Sequence, residues 1–431
     1  MNCIRLSAAL ALCASLSLAA CGTGQTDAVS DNADIIGGFD AAGKSLDAVV
    51  SIGMKDSQGN YSFFCSATLI GPHTVLTAKH CAIVLGGALD GQKYVNLVPI
   101  FVAVGPAAKT PTQIVEAVAA DLSPIENTGF VGLGNDVSIY HLISDITDVK
   151  PFKVATAALK GPDAVTHKGG DMGKVFTSIG FGAQTVKEDL TGNLASTRKA
   201  GASTMNALEG KSFELMLGSF QAFVDQLIFE YGKAIIDANM DIVTSWYNDT
   251  LIAKDYEAWT GHQPGDAQTC HGDSGGPLLH KVNGKLQVFG VVSGGWHSRD
   301  LSCDYGTFYA TTGSPVTQKL VADALQWTDP CSTKKYGLLD AKGACSGTVA
   351  ARCSAKWEGN RSLKVLDCAD LGQVCAKDTA GVATCADKAN TVVPTPPVLP
   401  TASLTLGEIK QQIHEVRMGL HSKRVQKLQG R

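Results

Sequence analysis

The sequence predicts an all-β fold, an antiparallel barrel or sandwich, with a helical insertion and a small disulfide-rich C-terminal module. Three observations predict it. Short apolar runs alternate with turn residues through most of the first 330 positions, one internal segment has helical spacing, and six cysteines crowd together after residue 330.

Length and composition agree with this architecture. A chain of 431 residues is too long for one ordinary domain, so we expect one large domain with appendages. Apolar residues make up 45%, charged residues only 18%, and there are 46 glycines, which favours a turn-rich β protein over a disordered or coiled-coil chain. A net charge of -4 gives no reason to expect a nucleic-acid partner.

The strand signal consists of short apolar runs bounded by Gly, Pro, Asn and Asp. They are Val49–Ile52, Ser66–Ile70, Tyr94–Val104, Val137–Tyr140, Val175–Phe181 and Leu286–Val292.

Between the last two runs the apolar residues change to a spacing of three and four. From Phe213 to Ile236 this spacing, without proline, predicts one or two helices in an insertion at about 208–260. Two roles are open for it: a lid over a functional site, or packing of its apolar face on the β domain. A further short helix is predicted at Val316–Trp327, closing the large domain.

The N-terminus predicts export. Arg5 precedes an apolar run, Leu6–Ala20, that is too short to span a bilayer, so residues 1–20 are a signal peptide. The junction before Cys21 resembles the bacterial lipoprotein cleavage box, which implies lipidation of Cys21; ordinary signal cleavage is the alternative. Residues 21–34 then form a short propeptide or tether, and the protein is either a cell-envelope lipoprotein or secreted.

Ten of the thirteen cysteines follow this N-terminal region, an even number that favours disulfides over metal sites in an exported chain. We expect no metal and no cofactor. Six of the ten fall within residues 331–387, where few large apolar groups are present, so disulfides replace a core there. Their pairing is open, since six cysteines allow fifteen connectivities. The module is expected to serve binding or spacing.

A proline-rich linker, 388–402, leads to a basic amphipathic tail, 403–431. The tail has three open interpretations: contact with an anionic membrane, docking on protein, or sorting.

Three segments carry the chemistry. They are Leu76–Cys81, which contains His80, Gly134–Ile139, which contains Asp136, and Cys270–Leu278, which contains Ser274. A serine hydroxyl needs an adjacent base to act as a nucleophile, a histidine supplies that base, and an aspartate fixes the histidine tautomer.

In their residues and in the order His, Asp, Ser, these motifs resemble the trypsin-like serine peptidases. The resemblance runs from Ile35 to about Trp327 and implies two six-stranded antiparallel β-barrels within a peptidase domain at 35–330. It implies His80 as general base, Asp136 as the residue that orients it, and Ser274 as nucleophile. It also implies disulfides Cys65–Cys81 and Cys270–Cys303.

Further roles follow from the same resemblance. The N–H groups of Gly272 and Ser274 would form the oxyanion hole. Cleavage at Asp34-Ile35 would free an ammonium group on Ile35 that pairs with Asp273 and activates a zymogen. Because residue 34 is Asp where the family usually carries Arg or Lys, we expect a separate activating protease.

The predicted specificity pocket is uncharged. Gln268 stands where trypsins place an aspartate, followed by Thr269, while Ser293, Gly295 and Gly306 occupy the remaining wall and mouth positions. Strict cleavage after Arg or Lys is therefore not expected, although Asp266 would restore it by swinging in.

The sequence thus predicts a serine endopeptidase acting on extracellular proteins through an acyl-enzyme. Two alternatives stay open: a non-catalytic binding or adhesion protein on a peptidase scaffold, and an esterase.

Overall fold

A computed structural model describes the chain over residues 38–55, 58–86, 100–124, 135–162, 169–185, 188, 194, 196–295, 303–354 and 362–387. Ile35 lies outside these residues, as do the predicted signal peptide with Cys21, the predicted propeptide, the predicted linker and the predicted basic tail. None of the described helices is long and apolar enough to cross a membrane.

The first half of the predicted peptidase domain is a closed six-stranded antiparallel barrel with the strand order β2-β3-β4-β7-β6-β5. Its strands are β2 Val49–Lys55, β3 Tyr61–Gly71, β4 Thr74–Thr77, β5 Ile100–Val104, β6 Gln113–Leu122 and β7 Ser138–Leu142. Side chains such as Ile52, Leu69 and Val102 fill it and are fully buried. One short helix, α1 Lys79–Gly86, follows β4 directly.

The second half closes into another six-stranded barrel, since β9 pairs with both β10 and β12. Its strands are β9 Val175–Gly180, β10 Lys199–Ala207, β11 Glu257–Thr260, β12 Pro277–Val282, β13 Lys285–Gly295 and β14 Thr307–Thr311; two short strands, β1 Phe39–Asp40 and β8 Lys153–Val154, add to its sheet. Asn283 and Gly284 join β12 to β13 with φ of 51° and 76°, the left-handed pair that a tight hairpin turn requires.

One apolar cluster joins the two barrels. It combines Val49, Leu76 and Ile139 of the first barrel with Leu279 and Val291 of the second, all fully buried. The predicted pair of barrels is therefore confirmed, and the residues between them sit on a shared core.

The insertion contains four helices rather than the one or two predicted. They are α2 Ser212–Leu217, α3 Phe220–Tyr231, α4 Lys233–Asp237 and α5 Met240–Asp249. Gly218 and Gly232, at φ of 79° and 85°, interrupt the pattern, because only glycine takes this conformation without strain. The helices bury Phe213, Phe223 and Trp246 against Trp259 and Phe308 of the second barrel, so the structure shows the packing role.

Helix α6, Pro315–Leu325, ends the second barrel. Ser314 caps it by accepting a hydrogen bond from the Thr317 N–H, and Pro315 starts it. This helix begins one residue before and ends two residues before the predicted Val316–Trp327, so Trp327 lies beyond it.

The C-terminal region, described to residue 387, is a small β structure held by disulfides. Its strands are β15 Ser332–Thr333, β16 Gly337–Leu338, β17 Ala344–Ser346, β18 Val349–Cys353, β19 Leu363–Asp367, β20 Val374–Lys377 and β21 Ala383–Ala386. The bridges are Cys331–Cys353, Cys345–Cys375 and Cys368–Cys385, one of the fifteen possible pairings.

Candidate active site

His80 and Asp136 meet because β4 and β7 are neighbours in the first barrel. Leu76 pairs with Ile139 and Thr77 with Ser138 in antiparallel register. The residues that follow β4 therefore lie beside the residues that precede β7. His80 stands in the first turn of α1 and Asp136 two residues before β7, so the pairing places them together across 56 positions of sequence.

The Asp136 carboxylate is 2% exposed and accepts three hydrogen bonds. His80 Nδ1 lies 2.6 Å from Oδ2, the His80 backbone N–H donates to Oδ1 at 2.8 Å, and Ser293 Oγ donates to Oδ2 at 2.9 Å. An ionised carboxylate only accepts, so Nδ1 carries the proton. That tautomer leaves the lone pair on Nε2 available to a nucleophile.

Ser274 belongs to the second barrel but is held against the first. The Ser66 N–H of β3 donates to the Ser274 carbonyl at 2.8 Å. Ser274 is half-buried, and a quarter of the His80 side chain is exposed, so both groups are open to an incoming molecule.

The same disulfide sulfur touches both residues. Cys81 Sγ lies 3.8 Å from His80 Nε2 and 3.6 Å from the Ser274 carbonyl oxygen. Because Cys81 is bridged to Cys65, its sulfur has no proton to donate and these are packing contacts. The structure forms no hydrogen bond between His80 Nε2 and Ser274 Oγ; in serine hydrolases without substrate this bond is often long and shortens in the complex.

The backbone around Ser274 adopts conformations and close contacts that require glycine at positions 272 and 275. Gly272 has φ of 97°, and a Cβ there would approach the Gly182 Cα at 2.9 Å. Gly275 has φ of 80°, and a Cβ there would overlap Thr77 Oγ1 and the Ser66 carbonyl. Within the described chain, the N–H groups of Gly272 and Ser274 have no intramolecular acceptor, so both are available to a ligand oxygen.

Asp273 is buried, with 1% of its surface exposed. Its carboxylate accepts from the Gly182 N–H at 2.8 Å and the Cys270 N–H at 2.9 Å. It fills a slot that a side chain at Gly180 or Gly182 would block. Burial raises the pKa of Asp273 to about 6, although the two N–H donors and nearby His271 act to lower it.

The predicted pocket residues lie together between β11, β13 and β14. Gln268 is buried, and its Oε1 accepts from the Gly306 N–H at 3.0 Å. Thr269 Oγ1 lies 2.8 Å from Thr307 Oγ1. Gly295 is exposed at the end of β13, and Ser293 of the same strand turns to Asp136.

Asp266 does not turn toward Gln268. Its Oδ1 accepts from the Thr204 N–H at 3.1 Å and from Thr204 Oγ1 at 2.8 Å, while Oδ2 accepts from the Gln263 N–H. Asp266 therefore does not replace the missing aspartate at position 268.

Two disulfides frame the site as the resemblance implies. Cys65–Cys81 ties β3 to α1 beside His80, and Cys270–Cys303 joins the segment before Ser274 to the loop before β14. Cys65, Cys81 and His80 have donor atoms within 4.8 Å of one another, but a disulfide has no thiolate to offer a metal.

Sequence reasoning missed Ser66. Its Oγ donates to the Gly272 carbonyl at 2.9 Å and accepts from the Phe181 N–H at 2.9 Å, so one side chain of the first barrel fixes two loops of the second. A serine inside an apolar strand run, next to Cys65, was the available signal, because a buried hydroxyl requires partners.

Comparison with known proteins agrees with this geometry. The sequence model of the trypsin family matches residues 35–186 and 231–313, more than half of the chain. The chain therefore belongs to the trypsin family and carries a serine peptidase domain of that type. The unmatched gap, 187–230, contains α2 and nearly all of α3, whereas α4 and α5 lie within the second matched segment.

A distant relative is the urokinase-type plasminogen activator of Gallus gallus. It is 22% identical over 303 residues, which cover 68% of this chain and 56% of that protein. The chain thus spans little more than half the length of this relative.

Proposed function

We propose that the protein is a serine endopeptidase that hydrolyses peptide bonds through an acyl-enzyme on Ser274. The bond of 2.6 Å between His80 Nδ1 and the buried Asp136 carboxylate is the observation that carries this proposal. It orients the imidazole so that Nε2 can take the Ser274 proton during attack and later return it to the leaving amine.

The oxyanion hole in this proposal is the Gly272 and Ser274 N–H pair. The acyl carbonyl oxygen becomes negatively charged in the tetrahedral intermediate, and two preorganised amide donors stabilise that charge. Their lack of an acceptor within the described residues supports this role.

Activation by cleavage at Asp34-Ile35 is the second part of the proposal. Asp273 supports it, because a carboxylate with 1% exposure has two amide donors but no lysine or arginine partner in the described structure. An inserted Ile35 ammonium would supply the missing cation. Because residue 34 is acidic, a separate protease is proposed to make the cut.

We also propose export, with Cys21 as the lipidated residue of the precursor. Five disulfides fit an oxidising compartment. In that case the cut at Asp34-Ile35 also releases the peptidase domain from its anchor.

A fluorophosphonate probe, applied to protein processed by its natural host, tests the nucleophile. We expect one adduct, mapped to Ser274, that disappears in Ser274→Ala. A processed, folded protein without an adduct would instead indicate a non-catalytic binding protein. Digestion of casein, compared with hydrolysis of a simple ester, then separates a peptidase from an esterase.

N-terminal sequencing of the same material tests the activation step. We expect the sequence of the active form to begin at Ile35. A fully active form that keeps residues before Ile35 would contradict the proposed zymogen.

A further inference from the structure

A cavity of about 480 Å³ lies between the helical insertion and two loops of the second barrel. This volume is in the range of sites for small ligands or single side chains. One wall is apolar and comes from α2 and α3: Leu215, Met216, Leu217 and Ala222. The opposite wall comes from His262 and Tyr305. We call this space the insertion cavity.

The insertion cavity shares its barrel wall with the predicted specificity pocket. Tyr305 precedes Gly306, whose N–H donates to Gln268 Oε1 at 3.0 Å. His262 follows Gly261, where a Cβ would lie 3.2 Å from the polar atoms of Gln268. The same two loops therefore contact Gln268 through their glycines and line the insertion cavity through their ring side chains.

The chemistry of the cavity favours a cation with an apolar stem. Asp225 lines it, and its Oδ1 accepts a hydrogen bond from Gln221 Nε2 at 2.8 Å. Across the described structure, no lysine or arginine forms an ion pair with Asp225. The helices from Ser212 to Asp249 contain six acidic residues and one lysine, a formal net charge of -5, so the local field attracts positive charge.

The rings of His262 and Tyr305 favour a guanidinium over other cations. The rings of His262 and Tyr305 have centroids 6.0 Å apart, and Trp259 lies 5.6 Å from His262. A planar guanidinium stacks on such rings and bonds a carboxylate in a bidentate manner, whereas an ammonium is more strongly hydrated. Leucine and methionine side chains would cover the methylene stem.

We propose that the insertion cavity binds an arginine side chain of the polypeptide substrate, outside the pocket of Gln268. This inference rests on the proposed function, since it assigns the substrate. Binding in this cavity would let the protein select basic substrates, which its uncharged specificity pocket at Gln268 cannot do. Because the two sites share a wall, occupancy of the cavity also acts on the Gly306–Gln268 bond.

The test uses the full chain with Ser274→Ala, so that binding is measured without turnover. The probe is N-acetyl-arginine methylamide, compared by titration calorimetry with the citrulline derivative, which has nearly the same shape but no charge. We expect the arginine probe to bind at least about tenfold more tightly, because the exposed Asp225 carboxylate pairs with the charged guanidinium but only hydrogen-bonds the neutral urea group of citrulline.

Two cavity variants and one matched control locate the binding. Asp225→Asn is expected to remove the preference for arginine over citrulline, and Ala222→Phe, which fills the cavity, is expected to remove binding of both. Asp237→Asn changes an acid of the same insertion that pairs with Lys233 outside the cavity and should leave the preference intact. Thermal melts confirm that each variant is folded.

Equal binding of the two probes, or an unchanged preference in folded Asp225→Asn, would overturn the proposal. This outcome is distinct from failure of the proposed peptidase activity, which the fluorophosphonate experiment tests on Ser274 alone. In an active enzyme with Ser274 present, adding the arginine probe is further expected to change KM for a short peptide substrate more in the parent than in Asp225→Asn.

Discussion

Thr317 Oγ1 donates a hydrogen bond of 2.9 Å to Asn135 Oδ1, joining helix α6 to the residue that precedes Asp136. Both side chains are 1% exposed or less. Asn135 Nδ2 also donates to Ser123 Oγ at 2.6 Å, and Ser314 Oγ donates to Thr317 Oγ1 at 2.9 Å. This chain of buried hydrogen bonds fixes the backbone at Asp136 from a helix that closes the second barrel.

Replacing Thr317 with valine keeps its shape and removes this donor. Asn135 Oδ1 is then buried without a partner, which lowers the free energy of unfolding by about 1–3 kcal/mol. We expect kcat to fall, because the backbone at Asp136 is then less firmly held. We expect KM to change little, because Thr317 is not proposed to contact the substrate. Urea unfolding and steady-state kinetics measure both; Thr317→Ser, which keeps the hydroxyl, should stay near the parent.

Asp136→Asn tests the orientation of His80. An amide in place of the carboxylate stabilises the wrong imidazole tautomer, and in this class of site kcat falls about 10⁴-fold. Asp121→Asn is the matched control, since Asp121 bonds His141 at 2.7 Å in the same barrel without contacting the site. If both variants retain full kcat, His80 does not depend on Asp136.

Gln268→Asp is expected to create a preference for basic residues at the cleaved bond. A carboxylate at this buried position attracts a substrate cation to satisfy its charge. We expect kcat/KM for arginine relative to a neutral residue to rise by about tenfold or more, equivalent to 1.4 kcal/mol. Asp266→Asn should change nothing, because Asp266 is bonded to Thr204. A peptide library read by mass spectrometry compares the variants.

The buried carboxyl of Asp273 makes the stability of the unprocessed chain depend on pH. Its pKa of about 6 in the folded state lies above the ordinary 3.8, so folding favours the protonated form. The resulting stabilisation is complete below about pH 4 and is lost as the pH rises through 6. We therefore expect the free energy of unfolding to decrease over this interval.

Urea titrations of the unprocessed chain between pH 4 and 7 measure that dependence. Subtracting the values for Asp273→Asn, which does not titrate, isolates the contribution of this group. A difference that stays constant across the interval, or increases with pH, would contradict the assignment.

Arg198 is a buried cation that ties the N-terminal segment to the second barrel. Its guanidinium donates to the Ala41, Val49 and Gly43 carbonyls and pairs with Asp47 at 2.8 Å. Burial lowers the pKa of Arg198, and the bond and charge of Asp47 act in the opposite direction.

Arg198→Met leaves those acceptors without donors, and we expect a loss of about 3–5 kcal/mol in the free energy of unfolding. Lys174→Met is the control, because Lys174 forms an exposed pair with Asp171 that is worth about 0–1 kcal/mol. Denaturation followed by tryptophan fluorescence gives both values. Equal losses of unfolding free energy in the two variants would show that the buried bonds of Arg198 stabilise the fold no more than an exposed ion pair does.

The spacing of the apolar runs predicted an all-β fold, and the resemblance of three short motifs to a known family implied the two barrels; the structure confirms both. Gly272 and Gly275 stand where positive φ is needed, and the resemblance implied the bridges Cys65–Cys81 and Cys270–Cys303 that the structure forms. The spacing of apolar residues also located the insertion, but it predicted fewer helices than the structure contains. The apolar spacing continues across Gly218 and Gly232, whereas the helices end at these glycines.

Relationships between distant segments could not be read in this way. Ser66 bonds Gly272 across 206 positions, and Thr317 bonds Asn135 across 182. Serine and threonine are common in strands and helix starts, so neither identity indicates a partner. The insertion cavity was equally hidden, because it depends on how α2 and α3 sit on the loops of the second barrel.

A side chain at Gly275 would overlap Thr77 Oγ1 and the Ser66 carbonyl, so the two barrels approach each other closely beside Ser274. Neither half of the molecule holds a working set of groups alone, since His80 and Asp136 come from one and Ser274 from the other. Because these side chains come from both barrels, we expect heat or denaturant that loosens the interface to separate them while the strands of each barrel persist. Loss of turnover should therefore be the earliest sign of damage to this protein, preceding any change in its secondary structure.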